Sequence, residues 1–353
     1  MEFIKNNIDW EQKLSEKPYC ITTKRKDNFI MFCYSQIDSD FYNPIVRECR
    51  GIILDCEYKP VCVPFYKFGN YGEGYVDTID WSSAKTQEKV DGSLIKVWNY
   101  KGNWHVSTNG TIDAKDATLQ CDISPYTTFY DLFIEASKNS NLNIGDLNIN
   151  YTWIFELISP YNRVVVPHVE TKLKHIGTRD IHTLKEYNFN IGVDRPKTYD
   201  FKSFAECVAM AAELPFSDEG YVVVDKHWNR NKIKSPAYVA AHHLKNNGVS
   251  TKSRIVEMIK ANESEEFLTY YPEFKDGFDN IQEGIEQFCT KMDNVILKLD
   301  RDEGKTNRKE FAKYATTFKC PAVLFNWLDN KCETTSEWLW KQTNDKIIQW
   351  IGV

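Results

Sequence analysis

The hydrophobic pattern of this chain changes period once, near Leu244. Before that point apolar residues alternate or run in short bursts, as in Gly51-Ile52-Ile53-Leu54-Asp55 and Leu94-Ile95-Lys96-Val97-Trp98-Asn99-Tyr100. After it they return every three or four residues, so that Ile281, Ile285, Phe288, Met292, Val295, Ile296 and Leu299 form one face of a long helix. Side chains alternate across a strand and repeat every ~3.6 residues around a helix. The pattern therefore calls for an α+β domain with antiparallel sheets over residues 1–243 and an all-helical C-terminal domain over 244–353.

Within the first part, residues 94–100 and 104–107 flank Lys101-Gly102-Asn103 and form a predicted hairpin. Further strands are predicted at Thr152–Ile158, Arg163–Val166 and Gly220–Val224, and helices at Thr127–Ser137 and Phe201–Ala212. In the second part, apolar stripes run through Glu310–Leu328, where Pro321 should start or kink a helix, and through Glu337–Ile351. Trp327, Trp338, Trp340 and Trp350 sit at helical spacing and read as core more readily than as stacking platforms for bases.

Composition narrows the setting. No window approaches 18 consecutive apolar residues, and the opening Met1-Glu2-Phe3-Ile4-Lys5-Asn6-Asn7 carries charge and amide where a signal peptide needs an apolar core. Neither export nor a membrane anchor is expected, and the expected location is the cytoplasm, that of the host if the protein is phage or viral. The 10 cysteines show no C-x-x-C pair and no Cys/His zinc spacing, so reduced thiols are expected. A net charge of −6 argues against indiscriminate coating of nucleic acid, yet Lys226–Ile255 holds seven Lys/Arg, from Lys226 through Lys245 to Arg254, and no Asp or Glu. A polyanion could bind that stretch while the rest repels it.

The chemistry is concentrated in short motifs. Lys89-Val90-Asp91-Gly92-Ser93 precedes a strong strand, and its Asp-Gly turn would leave Lys89 at a strand end or loop. Phe155-Glu156-Leu157-Ile158 sets a carboxylate in a strand, and Asp218-Glu219-Gly220 sets another at the head of an apolar one. Lys232-Ile233-Lys234 places two amines on one face of an extended segment. Upstream, Arg47-Glu48-Cys49-Arg50-Gly51 and Phe65-Tyr66-Lys67-Phe68-Gly69-Asn70 add cations beside aromatics. No G-x-x-x-x-G-K-[ST] string is present to bind nucleotide phosphates by the P-loop route.

This ordered set, over roughly residues 45 to 240, resembles the nucleotidyltransferase motifs of covalent ligases, and most closely the bacteriophage RNA ligase 1 family. The resemblance implies a nucleotidyltransferase (ATP-grasp-like ligase) domain in which Lys89 is the adenylated nucleophile. It makes Glu156 and Glu219 the carboxylates of the third and fourth motifs, which hold the hydration shell of a metal, and Lys232 and Lys234 the phosphate-handling amines. Arg50 and Lys67 match cations that the family uses around the nucleotide. Ser107, Thr108 and Asn109 lie where the family presents polar groups to RNA or nucleotide, a plain hairpin end being the equal alternative. His175, Arg179 and Asp180 fall loosely on the segment after the third motif.

The implied cofactors are ATP and Mg²⁺, or Mn²⁺ in its place. The implied activity is ATP-dependent joining of 5′-phosphate and 3′-hydroxyl RNA ends through a lysyl-AMP and an adenylylated RNA, in repair of cut RNA such as a tRNA loop. With no kinase or phosphatase module recognisable, a separate end-healing protein is expected to act first. A lysine attacks phosphorus only as the neutral amine, so its pKa of about 10.4 must fall, and Lys232, Lys234 and the metal are the cations positioned by sequence to lower it. DNA ligases and mRNA guanylyltransferases of the same superfamily append a five-stranded OB-fold, which the helical pattern after Leu244 does not match. A non-catalytic RNA-end binder should have lost at least one of Lys89, Glu156, Glu219, Lys232 and Lys234. The helical domain is expected to carry RNA substrate specificity.

Overall fold

The computed structural model describes residues 2–121, 123–244 and 251–352, in two compact units, Met1–Leu244 and Lys245–Val353. In the first unit the described strands make three antiparallel sheets. β1 (Ile21–Lys26), β2 (Phe29–Tyr34), β3 (Arg50–Asp55) and β4 (Pro60–Cys62) form a meander. β6 (Ser93–Tyr100), β7 (Asn103–Thr108), β8 (Tyr151–Ile158), β9 (Lys172–Asp180) and β10 (Glu186–Tyr187) form a second sheet in the order β10-β9-β8-β6-β7. The third combines β5 (Lys85–Glu88), β11 (Thr198–Tyr199), β12 (Gly220–Val224) and β13 (Arg230–Lys234) in the order β11-β5-β12-β13.

The predicted hairpin is β6–β7. Tyr100 faces Asn103, and Lys101 and Gly102 turn with φ of 51° and 85°, the two left-handed residues that a tight hairpin needs. Alternation decides which faces are dry. Phe29, Met31, Ile53, Val61 and Cys62 of the first sheet share a core with Trp98 of the second. The other face of the second sheet, with Ile95, Val97, Phe155 and Leu157, is covered by Leu132, Phe133 and Ala136 of the helix Phe129–Asn139. The third sheet buries Tyr221, Val223 and Ile233 under Cys207 and Ala211 of the helix Phe204–Ala212. Both helices start later than the apolar pattern predicts, because Thr128 and Ser203 accept backbone N–H bonds as N-caps and set the first turn.

Two expectations fail in this unit. Arg163–Val166 is a loop and not a strand. Its Val165 and Val166 N–H groups donate to the Asp91 carboxylate at 2.9 and 2.7 Å, so their partner is a side chain and not a neighbouring strand. Nor is the cationic run from Lys226 a continuous basic face. Lys226 pairs with Asp80 at 3.0 Å, Arg230 is buried against Glu186 at 2.6 Å, and Lys245 lies outside the described residues.

In the second unit the longest helix is Lys275–Ile296, with Phe278, Ile281, Ile285, Met292 and Ile296 buried and Leu299 beyond its end. The stripe at 310–328 is two helices, Arg308–Ala315 and Pro321–Leu328, with Pro321 in the first turn of the second, where its missing N–H costs nothing. The last stripe divides likewise into Thr335–Leu339 and Asn344–Ile351. Trp327 and Trp338 are buried, and the rings of Trp338 and Trp350 lie 4.9 Å apart. Among the described residues no helix is long and apolar enough to cross a membrane.

Candidate active site

Lys89 lies where the chain leaves the third sheet at β5 and enters the second at β6. Its N–H donates to the Gly220 carbonyl at 2.8 Å, which extends the β5–β12 ladder by one residue and fixes the start of the crossing. Gly220 has φ +134°, and a Cβ there would stand 2.1 Å from the Ile233 carbonyl oxygen, so only glycine lets β12 and β13 close at this point. Glu219, the residue before it, is 6% exposed and meets the Lys89 ammonium at 2.6 Å.

Asp91 does more than make the turn expected of it. It is buried, and besides holding Val165 and Val166 it accepts the Tyr238 hydroxyl at 2.9 Å, while its carbonyl accepts His168 Nε2 at 2.5 Å. Four bonds on one residue pin the chain two positions after the lysine. At Gly92 a Cβ would fall 2.4 Å from the Leu157 carbonyl and 3.1 Å from Glu156 Cγ, which brings the crossing segment directly against β8.

Glu156 stands in β8 between Leu94 of β6 and Lys174 of β9. Burial pushes its carboxyl up to about 8; Lys89 and Arg50 pull it down, and Glu219 and Asp91 push it further up. Lys89, Glu219 and Glu156 are thus brought into one electrostatic neighbourhood from three separate stretches of chain. Arg50, at the head of β3, joins them. Its Nη1 is buried with no hydrogen-bond partner among the described residues, and its guanidinium carbon lies 5.7 Å from the Phe68 ring. Lys232 approaches the same ring at 5.6 Å, and Lys234, opposite Gly220, lies 5.9 Å from the ring of Tyr238. Ile233 between them is fully buried, so the two amines do share a face of β13.

Lys67 is placed differently. It is 6% exposed, and its ammonium sits 5.4, 4.5 and 5.7 Å from the rings of Tyr34, Phe41 and Tyr75. It adjoins the site through Tyr34, whose phenol burial pushes up while the neighbouring Arg50 opposes the shift. Ser107 is a structural residue: it takes the Trp98 indole N–H at 2.8 Å and donates to the Ile112 carbonyl at 2.5 Å, fully buried. Arg179 is likewise structural, clamped on Glu48 at 2.6 Å and on the Pro64 carbonyl, and His175 is buried with its pKa pushed down to about 4 by desolvation. Thr108 closes its own loop through Thr111.

A family profile described as RNA ligase, of the T4 RNA ligase 1 type, matches residues 48–238, more than half of the chain. The chain belongs to this RNA ligase family. A protein of Autographa californica nuclear polyhedrosis virus described as a bifunctional polynucleotide kinase/RNA ligase is 31% identical over 69% of this chain. An RNA ligase of Rhodothermus phage RM378 is 25% identical over 70% of it. The chain spans 37% of the baculovirus protein and 71% of the phage one. Among solved structures, an archaeal ATP-dependent RNA ligase aligns over 78% of each chain at 11% identity and a TM-score of 0.44.

Several residues that build this ligase-family site gave no signal in the sequence. Tyr238 and His168 bind Asp91 from 147 and 77 residues away, and nothing local marks them. Lys96 looks like the polar position of an alternating strand. It is fully buried, however, with its amine on the Gly51 carbonyl at 2.6 Å, beside Arg50, and burial lowers its pKa.

Proposed function

We propose that this chain is an ATP-dependent RNA ligase that joins a 5′-phosphate end to a 3′-hydroxyl end, with residues 1–243 as the adenylyltransferase and the helical unit selecting the RNA. The observation that carries the reading is the convergence of Lys89, Glu219 and Glu156 at one seam, in a chain of the RNA ligase family.

Lys89 Nζ attacks the α-phosphorus of ATP; a phosphorus–nitrogen bond forms, pyrophosphate leaves, and AMP remains on the lysine. The 5′-phosphate of RNA then takes the AMP, and the 3′-hydroxyl of a second end displaces AMP as the strand is sealed. Each step gathers negative charge on phosphate oxygens, so fixed cations supply most of the catalysis. Lys232 and Lys234 from β13 and Arg50 from β3 are the groups to supply it, and the unpartnered Arg50 Nη1 fits a phosphate oxygen.

The resting geometry changes one part of the argument from sequence. Lys89 rests in an ion pair with Glu219 at 2.6 Å, so its nitrogen reaches phosphorus only when that contact loosens. A divalent ion fits these residues: Glu156 and Glu219 lie near enough for the charge of one to push up the carboxyl of the other, and no group of three or more His, Cys, Asp or Glu able to cage an ion occurs among the described residues. Mg²⁺ takes few carboxylates and keeps its waters. Held by Glu156 and Glu219, it would neutralise phosphate charge and compete for Glu219. A kinase acting before this ligase is supported by the baculovirus relative, which is described as a bifunctional polynucleotide kinase/RNA ligase.

The test is ATP labelled on the α-phosphate, incubated with Mg²⁺ and either wild type or Lys89→Ala, followed by denaturation. Label on the wild type alone is expected. Label on neither protein sinks the covalent mechanism, and label on both moves the nucleophile to another lysine.

A further inference from the structure

Beside the candidate site the first unit carries a cavity of about 440 Å³ that the phosphoryl-transfer chemistry leaves unused, walled by Tyr66, Phe68, Trp228, Arg47, Arg230 and Lys185. We infer that it receives a nucleotide of the RNA near the end being sealed, with the base against Trp228 and Tyr66. The inference rests on the RNA ligase reading above and extends it to how the substrate is held.

The cavity adjoins the reaction site at Phe68. Phe68 lines it and also lies under Arg50 and Lys232 at 5.7 and 5.6 Å. Arg230, Lys232 and Lys234 follow one another on a single face of β13, Arg230 in the cavity and Lys232 over the Phe68 ring, and alternate residues of a strand are about 7 Å apart, close to the spacing of neighbouring nucleotides. A strand of RNA with its end at Lys89 would therefore pass its next units over this wall.

The wall is rigid and aromatic. Arg47 is held in a fork by Asp77 at 2.9 and 3.0 Å, and Arg230 lies 4.2 Å over Phe65 and is paired with Glu186. With both guanidinium groups neutralised, the interior offers flat surfaces more than free charge. That suits a base, whose stacking is indifferent to sequence. Tyr66 is 42% exposed with Arg179 at 4.6 Å beneath it. At the mouth Lys185 and His227 are exposed and form no ion pair among the described residues, which leaves the Lys185 amine and the His227 ring to meet the backbone phosphate.

Trp228 adds an independent sign. It has φ +67°, a left-handed conformation that bulky residues rarely adopt, in a turn tied by the Asp225 carboxylate to the N–H groups of His227 and Asn229. Glycine or asparagine serves such a turn without strain. What tryptophan contributes in this turn and glycine cannot is its ring, which lines the cavity within 5.5 Å of the Arg230 guanidinium.

The experiment uses the full chain with Trp228→Gly, Trp228→Phe and Tyr66→Ala. Trp228→Gly removes the ring and also relieves the turn, so a merely structural tryptophan predicts unchanged or higher thermal stability and unchanged RNA binding. The RNA reading predicts that Trp228→Gly and Tyr66→Ala each weaken binding of a fluorescent 5′-phosphorylated single-stranded RNA about fivefold or more, that Trp228→Phe restores most of it, and that labelling of Lys89 by ATP stays at the wild-type level. Unchanged RNA affinity in a folded Trp228→Gly/Tyr66→Ala protein overturns the inference, including if the cavity turns out to bind a peptide. Loss of ATP labelling in the wild type would instead overturn the ligase reading, since the binding measurement needs no chemistry.

Discussion

Replacing Glu156 by glutamine should make the folded protein more stable at neutral pH, by an amount that grows with pH. Burial raises the Glu156 carboxyl from its ordinary 4.5 to about 8. Between those two values the folded chain holds a proton that the unfolded chain has released, so folding weakens as pH rises. Below about 4.5 the folded state keeps the full benefit, and above about 8 the loss is complete. A tenfold difference in ionisation constant corresponds to about 1.4 kcal/mol, so the whole interval is worth about 5 kcal/mol at most, and less where β8 relaxes. Glutamine keeps the shape and cannot ionise. Urea midpoints of wild type and Glu156→Gln at pH 5, 6, 7 and 8, without divalent metal, should diverge by up to about 1.4 kcal/mol for each step, always in favour of the variant, while other titrating groups cancel in the difference. A difference independent of pH, or one that grows toward acid, would refute the account of Glu156 as a carboxyl held protonated by its surroundings. Adding Mg²⁺ should shrink the gap if the ion engages the carboxylate.

Three further outcomes follow from the geometry. Gly220→Ala forces a Cβ to within 2.1 Å of a backbone oxygen and should cost about 1–3 kcal/mol in urea melts while abolishing lysyl-AMP formation, because the Lys89 N–H is held by that same residue. Arg179→Met leaves Glu48 without its partner and should lower stability by about 3–5 kcal/mol; a thermal melt unchanged from wild type would show the pair to be dispensable. Lys96→Met keeps the volume and removes a buried amine, so its stability should stay within about 1.5 kcal/mol of wild type. Its rate of labelling by ATP should nonetheless fall, since the Gly51 carbonyl beside Arg50 loses its anchor.

What the sequence conveyed and what it withheld divide by range. The β6–β7 hairpin was legible because alternation and a Lys-Gly turn are local properties, and so was Pro321 at a helix start. The pair Lys232 and Lys234 was legible as a shared face of a strand. Arg163–Val166 was misread because β-branched residues favour strands only when a partner strand is available, and here a carboxylate 74 residues away takes the N–H groups. Lys96 was invisible as a buried group because alternation gives the face of a residue and not what covers that face. The run beginning at Lys226 misled for a related reason: counting cations in sequence cannot show that Asp80 and Glu186, from distant segments, neutralise two of them.

The way Lys89 is held also sets when it is held. The described partners of β5 are β11 and β12, and the carbonyl that receives the Lys89 N–H lies more than 130 residues further along the chain. At about 5–20 residues per second, a ribosome needs roughly 7 to 30 seconds to travel from Lys89 to Lys234. During that interval Arg50, Lys67 and Lys89 already exist as polymer, while β12 and β13, the strands that anchor Lys89, do not. Contacts so distant in sequence close slowly and late, so a chain truncated before Lys234 would contain Lys89 without the strand pair that fixes it. The fixing of Lys89 is in this sense a checkpoint on complete synthesis of the first unit.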